Sequence, residues 1–281
     1  MNIGAVSRSY PNMGVEEAAV FMAERGFNCT ELCMTHPDFG GWAYNGISAL
    51  DENGITKELT KEKADVMRGH GVEVTAFGVF TNLLDPDDEY RNKCIGSFIR
   101  CMDFAAYAGI ENVSTELGFR PGKRGITTDV YEADFQRLID SFIILGNAAK
   151  ERGITVCVEA CVIDVIPSAK RLRDFIVQIN EKSGLTNIKA LLDMANFVAN
   201  SDEDDVFKYL APYTVYFHGK GRKVNDVAGR LIGDGEIDWV KFFKNYFEIT
   251  PDAPFILEYV NKDTTDTAIE RVKRYIDSGK C

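Results

Sequence analysis

The chain has 281 residues, 45% of them hydrophobic and 27% charged, an ordinary composition for a globular protein that buries a core without disulfides. Its formal net charge of −11 opposes binding to phosphate backbones and anionic lipid surfaces, which argues against nucleic-acid and membrane partners. The seven cysteines show no compact disulfide or zinc-site spacing, so we expect reduced thiols with structural roles.

The first predicted element is a strand at residues 2–7, close to the N-terminus. No basic-then-apolar signal pattern precedes it, and no apolar run in the chain is long enough to span a bilayer. We therefore expect a cytoplasmic protein. No glycine-rich phosphate loop follows this strand, which argues against a nucleotide-binding fold.

A pattern of helix, glycine and short β-rich run then recurs along the chain. Five glycines mark it, at spacings of 45, 38, 44 and 31 residues: Gly26, Gly71, Gly109, Gly153 and Gly184. Each glycine suits the left-handed backbone position that ends a helix. Each following run is apolar enough for a buried parallel strand.

The remaining segments complete a prediction of eight strands that alternate with helices. In chain order the strands lie at about 2–7, 28–34, 73–79, 112–117, 155–160, 189–194, 214–218 and 254–260. Residues 88–108 and 129–152 have the clearest helical apolar faces, and the acidic run 201–204 is typical of a helix N-terminus. Strict alternation indicates a parallel sheet. Eight units without a long linker favour a single (β/α)₈ TIM barrel over residues 1–281, although a doubly wound sheet fits the same alternation.

The last four predicted strands each run into a side chain that can bind a metal ion. These side chains are Glu159, Asp193, His218 and Glu258, separated by 34, 25 and 40 residues, or about one βα unit each. In such a barrel the C-terminal strand ends carry the chemistry. One carboxylate there would more often cap a helix or pair with an arginine. Four metal-capable groups on adjacent strands indicate a site instead, because three uncompensated carboxylates would repel one another.

Three carboxylates and an imidazole form an oxygen-rich ligand set. Such a set suits Mn²⁺, Mg²⁺ or Co²⁺ and is compatible with Zn²⁺. We predict one bound divalent ion, with Mn²⁺ as the first choice.

Several segments around these residues resemble the xylose-isomerase-like barrels, and most closely the sugar phosphate isomerase/epimerase branch, which also contains endonuclease IV. The segments are VCVEA, LLDMAN, YFHGKG, LIGDGEIDW and FILEYV, so the resemblance is strongest over about residues 155–260. It implies an isomerase or epimerase of a small sugar or polyol. In the branch's ketose epimerases the positions matching Glu159, Asp193, His218 and Glu258 hold one metal.

The resemblance also implies a second role for Glu159 and Glu258, as a catalytic acid/base pair. One glutamate removes the proton beside a carbonyl, and the metal stabilises the resulting enediolate. The other glutamate returns a proton on the opposite face in an epimerase. In an isomerase the first glutamate delivers it to the neighbouring carbon.

The sequence departs from the epimerases at two positions. Asn196 stands where a histidine is common, and Gly221 stands where an aspartate is common, while Lys220 is kept. Asn196 and Lys220 are candidates for substrate binding. The resemblance also implies a substrate-binding basic residue after strand 7, which the sequence does not place uniquely among Arg222, Lys223 and Arg230; we name Arg222 as the candidate.

Three more residues are candidates for substrate binding. Glu116, at the end of strand 4, binds substrate hydroxyls if it points inward and forms helix-facing salt bridges if it points outward, and the same choice applies to Glu31. His36 and Trp42 lie in the loop 35–44, whose aromatic residues and glycines suit a lid over a sugar face or a loop that packs on itself. A basic cluster after strand 4, including Arg120, is suited to a substrate anion or to solvent.

Three other functions remain as alternatives to the isomerase or epimerase. The first is a metal-dependent lyase on the same scaffold, either a polyol dehydratase or a subunit that cleaves C-glycosides. The second is a DNA-repair endonuclease, which the three histidines and the negative charge disfavour. The third is a non-catalytic sugar-binding barrel. Under the main hypothesis the partner is a small sugar or polyol. The oligomeric state stays open, with a homo-oligomer as one possibility, because no sequence feature tests it.

Overall fold

The protein forms a closed barrel of eight parallel strands, which confirms the predicted (β/α)₈ TIM barrel. The structure is a computed structural model, and it describes residues 1–39, 54–123 and 125–279. The barrel strands are Ile3–Val6 (β1), Cys29–Cys33 (β2), Glu73–Gly78 (β3), Asn112–Thr115 (β4), Thr155–Val158 (β5), Ile188–Asp193 (β6), Thr214–Gly219 (β7) and Phe255–Leu257 (β10). Strands that are adjacent in sequence are adjacent in the barrel, and β10 closes it by pairing in parallel with β1.

Eight helices of the described residues surround the strands. They are Val15–Glu24 (α1), Lys57–Gly69 (α2), Asp88–Tyr107 (α3), Tyr131–Glu151 (α4), Ala169–Ser183 (α5), Glu203–Leu210 (α6), Trp239–Ile249 (α7) and Thr265–Gly279 (α8). The helices predicted at 88–108 and 129–152 match α3 and α4 to within two residues. The acidic run begins α6 as predicted, and its N-cap Asp202 accepts a hydrogen bond from the backbone N–H of Asp205 at 2.9 Å.

The five glycines that carry the sequence pattern all adopt left-handed backbone conformations. Their φ angles lie between 67° and 80°. Gly184 is the clearest example, because its N–H donates to the carbonyl oxygen of Asn180 at 2.7 Å and so ends α5. The pattern therefore locates helix ends, and each strand that follows enters the barrel from the same side.

An antiparallel hairpin that the sequence analysis missed follows β7. Its strands are Gly221–Lys223 (β8) and Asp226–Arg230 (β9), which pair with each other outside the barrel. Strands of three and five residues with few apolar side chains leave no periodic apolar pattern, which is why the sequence did not show them. The hairpin borders the C-terminal rim and carries Arg222.

The barrel core is apolar and closely packed. Beneath α7 an aromatic cluster joins the barrel to its helical layer, with Trp239 and Phe242 at ring-centroid distances of 6.1 and 5.9 Å from Phe255. The six described cysteines are buried and form no disulfide, and Cys281 lies outside the described residues. Within the part of the chain described, no helix has both the length and the apolar character to cross a membrane.

Candidate metal centre

The four predicted metal ligands converge at the C-terminal end of the barrel. Glu159 follows β5, Asp193 ends β6, His218 lies in β7 and Glu258 follows β10. One ligand atom from each residue lies within 4.8 Å of the others, and all four side chains are buried. Four strands thus direct oxygen and nitrogen atoms to one point at the base of the rim.

Backbone hydrogen bonds at the strand ends hold these residues in place. The N–H of Glu159 donates to the carbonyl oxygen of Thr115 at 2.9 Å, and that of Glu258 to Gly219 at 3.1 Å, so both continue the parallel ladder for one residue. Asp193 accepts a hydrogen bond on Oδ1 from the N–H of Ala195 at 2.9 Å. Its Oδ2 accepts no hydrogen bond of normal geometry, although Lys220 Nζ lies 2.7 Å away.

A buried glutamate on the neighbouring β2 orients His218. Glu31 Oε2 lies 2.8 Å from His218 Nε2 and accepts a hydrogen bond from the Tyr216 hydroxyl at 2.6 Å. When Nε2 donates to this carboxylate, a neutral imidazole presents the lone pair of Nδ1 to the site. That Nδ1 atom has no hydrogen-bond partner and lies 3.6 Å from Glu159 Oε1. Glu31 therefore points inward but binds the imidazole rather than the cavity.

Lys220 brings a positive charge into the centre of the carboxylates. Its Nζ lies 2.6 Å from Glu258 Oε2 and 3.5 Å from Glu159 Oε1, in addition to its contact with Asp193. Burial alone would raise the pKa of Glu159, but the charges of Lys220 and His218 bring it down to about 2. Burial raises the pKa of Asp193 to about 6, with repulsion from Glu159 opposing the effect of Lys220.

The donor set fits a divalent cation by two observations. The first is that a buried ligand atom, His218 Nδ1, lacks a hydrogen-bond partner at the point where the four residues meet, while Asp193 Oδ2 has its ion pair with Lys220. The second is charge: of the residues described around this point, four carboxylates face two fixed cations, Arg8 and Lys220. Burial lowers the pKa of His218, but the charges of Glu31 and Glu159 hold it well above its usual value, so the metal-free site has His218 as a third cation. An ion bound at Nδ1 would replace that proton, and the excess is then two negative charges, which one divalent ion would balance.

A cavity of about 680 Å³ opens above this centre. Four of the six residues predicted to bind substrate line it, namely Glu116, Asn196, Lys220 and Arg222. Asn196 joins the cavity to the centre, because its Nδ2 donates to Glu159 Oε1 at 2.7 Å while its buried Oδ1 has no partner. An amide in this position offers a free acceptor to a hydroxyl group.

Of the other two predicted substrate residues, His36 lies away from the cavity. His36 is fully buried, its Nδ1 accepts a hydrogen bond from the N–H of Asp38 at 3.2 Å, and it is not part of the cavity lining. Trp42 lies outside the described residues. Arg120, from the basic cluster after strand 4, forms a paired contact with Asp134 at 2.6 and 2.7 Å.

Two rim residues escaped the sequence analysis. Arg8 follows β1, contacts Glu258 Oε1 and lies 4.9 Å from the centroid of the Phe80 ring. Tyr259 follows Glu258, lines the cavity and has a φ of 56°, in the left-handed region that non-glycine residues seldom adopt. Each stands two residues after its strand, Arg8 after β1 and Tyr259 after β10, so extending the strand-end rule by one residue would have found them.

Glu116 gives a pH-dependent prediction for the metal-free protein. Burial and the charges of Glu159 and Asp164 raise its pKa from 4.5 to about 8. A raised pKa means that the folded state holds the proton more tightly, so this group's contribution to stability is complete below pH 4.5 and is lost as pH rises through 8. We expect Glu116→Gln to be more stable than wild type at pH 9 by about 1–3 kcal/mol, with the difference vanishing at pH 4.

Urea unfolding at the two pH values measures this difference. Glu111→Gln is the matched control, because Glu111 is exposed on the same strand-bearing segment. A difference between wild type and Glu116→Gln that does not change with pH would contradict the prediction.

Comparison with known proteins identifies a family with this fold. The chain belongs to the xylose isomerase-like TIM barrel family, whose family model matches residues 20–278. No curated protein sequence matches the chain.

Solved structures resemble the whole barrel at low sequence identity. A D-psicose 3-epimerase crystallised in the presence of D-fructose gives a TM-score of 0.73 at 15% identity, covering 99% of this chain and 97% of that one. The IolI protein with a zinc atom gives 0.75 at 14%, covering 100% and 98%. The 3-keto-D-glucoside 4-epimerase YcjR from E. coli gives 0.70 at 14%, covering 100% of both chains. At such identities the likeness shows the fold.

Proposed function

We propose that this barrel is a divalent-metal-dependent isomerase or epimerase of a small sugar or polyol. The observation that carries the proposal is the convergence of Glu159, Asp193, His218 and Glu258 beneath a cavity, with His218 Nδ1 lacking a hydrogen-bond partner. Two of the similar structures are sugar epimerases, and a third holds zinc, which supports both the reaction class and the metal. Mn²⁺ is our first choice because the donor set is rich in oxygen, and Zn²⁺ is the alternative.

The proposed acid/base pair is Glu159 and Glu258. A divalent ion in this centre would polarise a substrate carbonyl and stabilise the negative charge of an enediolate. Both glutamates are buried, which raises their pKa values, but the combined charges of Lys220 and His218, joined at Glu258 by Arg8, lower both below the ordinary value. Both are therefore ionised at neutral pH and able to accept a proton. A carboxylate of low pKa is a weak base, which limits it to a proton acidified by its place beside the carbonyl.

Neighbouring side chains keep the two carboxylates in fixed orientations. Asn196 Nδ2 holds Glu159, while Arg8 and Lys220 hold Glu258. Glu159 follows β5 and Glu258 follows β10, and β6 and β7 lie between these strands in the barrel, so we propose that the two glutamates face opposite sides of a bound substrate carbon. Asn196, Lys220, Arg222 and Glu116 are the proposed substrate contacts, and roles for His36 and Trp42 stay predictions.

Hydrogen exchange in deuterium oxide tests this function. Metal-stripped protein is loaded with Mn²⁺, Co²⁺ or Zn²⁺ and incubated with a panel of ketoses and polyols, and the product is analysed by NMR. We expect deuterium at the carbon beside a carbonyl, together with an epimer or isomer, and loss of both when EDTA is added. Loss of water or of an aglycone would identify the lyase instead, and metal-loaded protein that exchanges no member of the panel would overturn the proposal.

A Lys220→Met variant provides an independent prediction about the charge balance. Removing Nζ from the centre leaves buried carboxylates without their nearest cation, so we expect the metal-free variant to lose about 3–5 kcal/mol of unfolding free energy. In wild type a bound divalent ion would leave no excess negative charge, and in the variant it would leave one instead of three, so part of this loss should disappear in Mn²⁺. Chemical denaturation with and without metal measures it, and exposed Lys223→Met is the control. An equal loss in both conditions would contradict the prediction.

The site does not favour a DNA-repair nuclease. The metal-capable group found among the described residues contains one histidine, His218. His70 lies at the C-terminal end of α2, and His36 is buried away from the cavity lining. A trinuclear zinc cluster needs several histidines at the rim, and the net charge of −11 opposes a DNA backbone. A cytoplasmic location and an oligomeric state stay predictions.

A further inference from the structure

Arg222 is a buried cation of the cavity wall without a carboxylate partner. Arg222 is only 5% exposed, yet no carboxylate oxygen of the described residues lies within salt-bridge distance of its guanidinium group. The one hydrogen bond found for it runs from Nη1 to Cys161 Sγ at 3.1 Å, and its buried Nε has no partner. A thiol is a weak acceptor that does not replace a carboxylate.

The other two cations that line the cavity are compensated. Arg8 contacts Glu258, and Lys220 contacts both Asp193 and Glu258. Burying a charge is costly unless it is paired, and the charge of Asp193 acts on Arg222 only from beyond salt-bridge distance, so Arg222 lacks the direct carboxylate contact that Arg8 and Lys220 have. A guanidinium offers planar paired donors that match a carboxylate or a phosphate group.

The LIGDGEIDW segment explains how the chain holds Arg222 in this position. A Cβ on Gly235 would lie 2.4 Å from the carbonyl oxygen of Arg222, so only glycine allows the segment to pack against this residue. The N–H of Glu236 donates to the same oxygen at 3.0 Å. A Cβ on Gly221 would likewise meet the carbonyl oxygen of Leu231 at 2.5 Å. The loop between β9 and α7 therefore packs closely against the backbone at Gly221 and at Arg222 and fixes the position of the arginine.

The geometry points to an anion subsite at Arg222, so that the preferred ligand of the cavity is a polyhydroxylated molecule carrying a carboxylate or a phosphate. This inference rests on the proposed function, which puts the reacting carbon of the ligand at the metal centre. The anionic group pairs with Arg222, while a hydroxyl group donates to the free Oδ1 of Asn196 in the same cavity. A neutral ketose would fill the cavity but leave the guanidinium without its counter-charge.

Calorimetric titration of matched ligands tests the subsite. The probes are D-fructose, D-fructose 6-phosphate and D-fructuronate, with the corresponding tagatose and psicose series, added to the Mn²⁺-loaded protein. We expect at least one anionic ligand to bind about 10- to 100-fold more tightly than its neutral parent. The series that gains affinity, phosphate or carboxylate, identifies the anionic group.

Arg222→Met is expected to remove this preference, and Arg222→Lys to retain part of it. Lys223→Met, on the exposed side of the same strand, should keep it in full. Melting temperatures check that the variants fold. Should Arg222→Met fail to fold, a weaker preference for anionic ligands in Arg222→Lys than in wild type tests the subsite instead.

Equal binding of neutral and anionic members, absence of binding by both anionic series, or a preference that survives in Arg222→Met would overturn the subsite. Its failure is distinct from failure of the proposed function. A protein that exchanges neutral ketoses with bound metal but ignores the anionic group keeps the function and loses the subsite. A protein that binds anions through Arg222 but exchanges no ligand keeps the subsite and loses the function.

Discussion

Replacing Glu258 with glutamine in the metal-loaded protein is expected to lower the rate of epimerisation or isomerisation by about 10²- to 10⁴-fold, and Glu159→Gln is expected to do the same in an epimerase. The reason is that an amide at either position cannot accept the proton beside the carbonyl. The measurement uses the ketose with the fastest deuterium exchange, at saturating metal.

The pattern of residual exchange separates the two reactions. In an epimerase each single variant retains one base, so it should still exchange the proton of one epimer while failing to form the other. In an isomerase one glutamate does all the proton transfer, so only one of the two variants should lose exchange. Both carboxylates also belong to the proposed metal site, so the metal content of each variant has to be measured beside its rate. A variant that binds one ion per chain and turns over at the wild-type rate would exclude that glutamate from proton transfer.

Glu31→Gln is expected to weaken Mn²⁺ binding by about 10- to 100-fold, although Glu31 lies outside the group of four. Glu31 Oε2 lies 2.8 Å from His218 Nε2 and so sets which imidazole nitrogen faces the metal centre. A glutamine keeps the size of the side chain but removes the negative charge and can present its NH₂ group to the ring. The imidazole is then less basic and less firmly oriented.

Tyr216→Phe is the matched control for this prediction. The Tyr216 hydroxyl donates to the same oxygen of Glu31 at 2.6 Å and is equally buried, but it does not touch the ligand atom of His218. Its removal should change the metal affinity far less than Glu31→Gln does. Calorimetric titration of Mn²⁺ into metal-stripped proteins gives both affinities, and equal effects of the two substitutions would show that the hydrogen-bond network as a whole matters rather than the orientation of His218.

The barrel was predictable because its signals are local and repeated. Five glycines at helix ends and eight apolar runs mark the βα units, and the barrel rule then places the strand-end residues on one rim. The predicted strands at 155–160 and 254–260 extend past the observed ends at Val158 and Leu257, because the chain leaves the ladder after one further hydrogen bond, made by the N–H of Glu159 or Glu258. This difference does not affect which residues reach the rim.

The interactions between side chains of distant strands were not predictable. The inward orientation of Glu31 depends on the register between β2 and its neighbours, which includes an irregularity between Thr30 and Glu31. One residue of register decides whether a side chain points into the barrel or toward the helices, and no local pattern records it. The pairing of Arg120 with Asp134 and the position of Lys220 among the carboxylates likewise arise only from tertiary packing.

Arg222 shows where sequence and structure complement each other. The sequence left the basic residue after strand 7 open among three candidates, and the structure places Arg222 in the cavity wall, Lys223 on the exposed side and Arg230 beside Asp226. The glycines of LIGDGEIDW were visible in the sequence, but their contact with the Arg222 backbone depends on the hairpin of β8 and β9, which has no apolar periodicity.

The central claim is that Glu159, Asp193, His218 and Glu258 together bind one divalent ion. Titration of Mn²⁺ into metal-stripped wild-type protein and into an Asp193→Ala variant, with metal analysis of the dialysed complexes, tests it most directly. We predict one tightly bound ion per wild-type chain and none retained by the variant, with both proteins folded. Retention of a stoichiometric ion by Asp193→Ala, or no retained ion in the wild type, would contradict the claim.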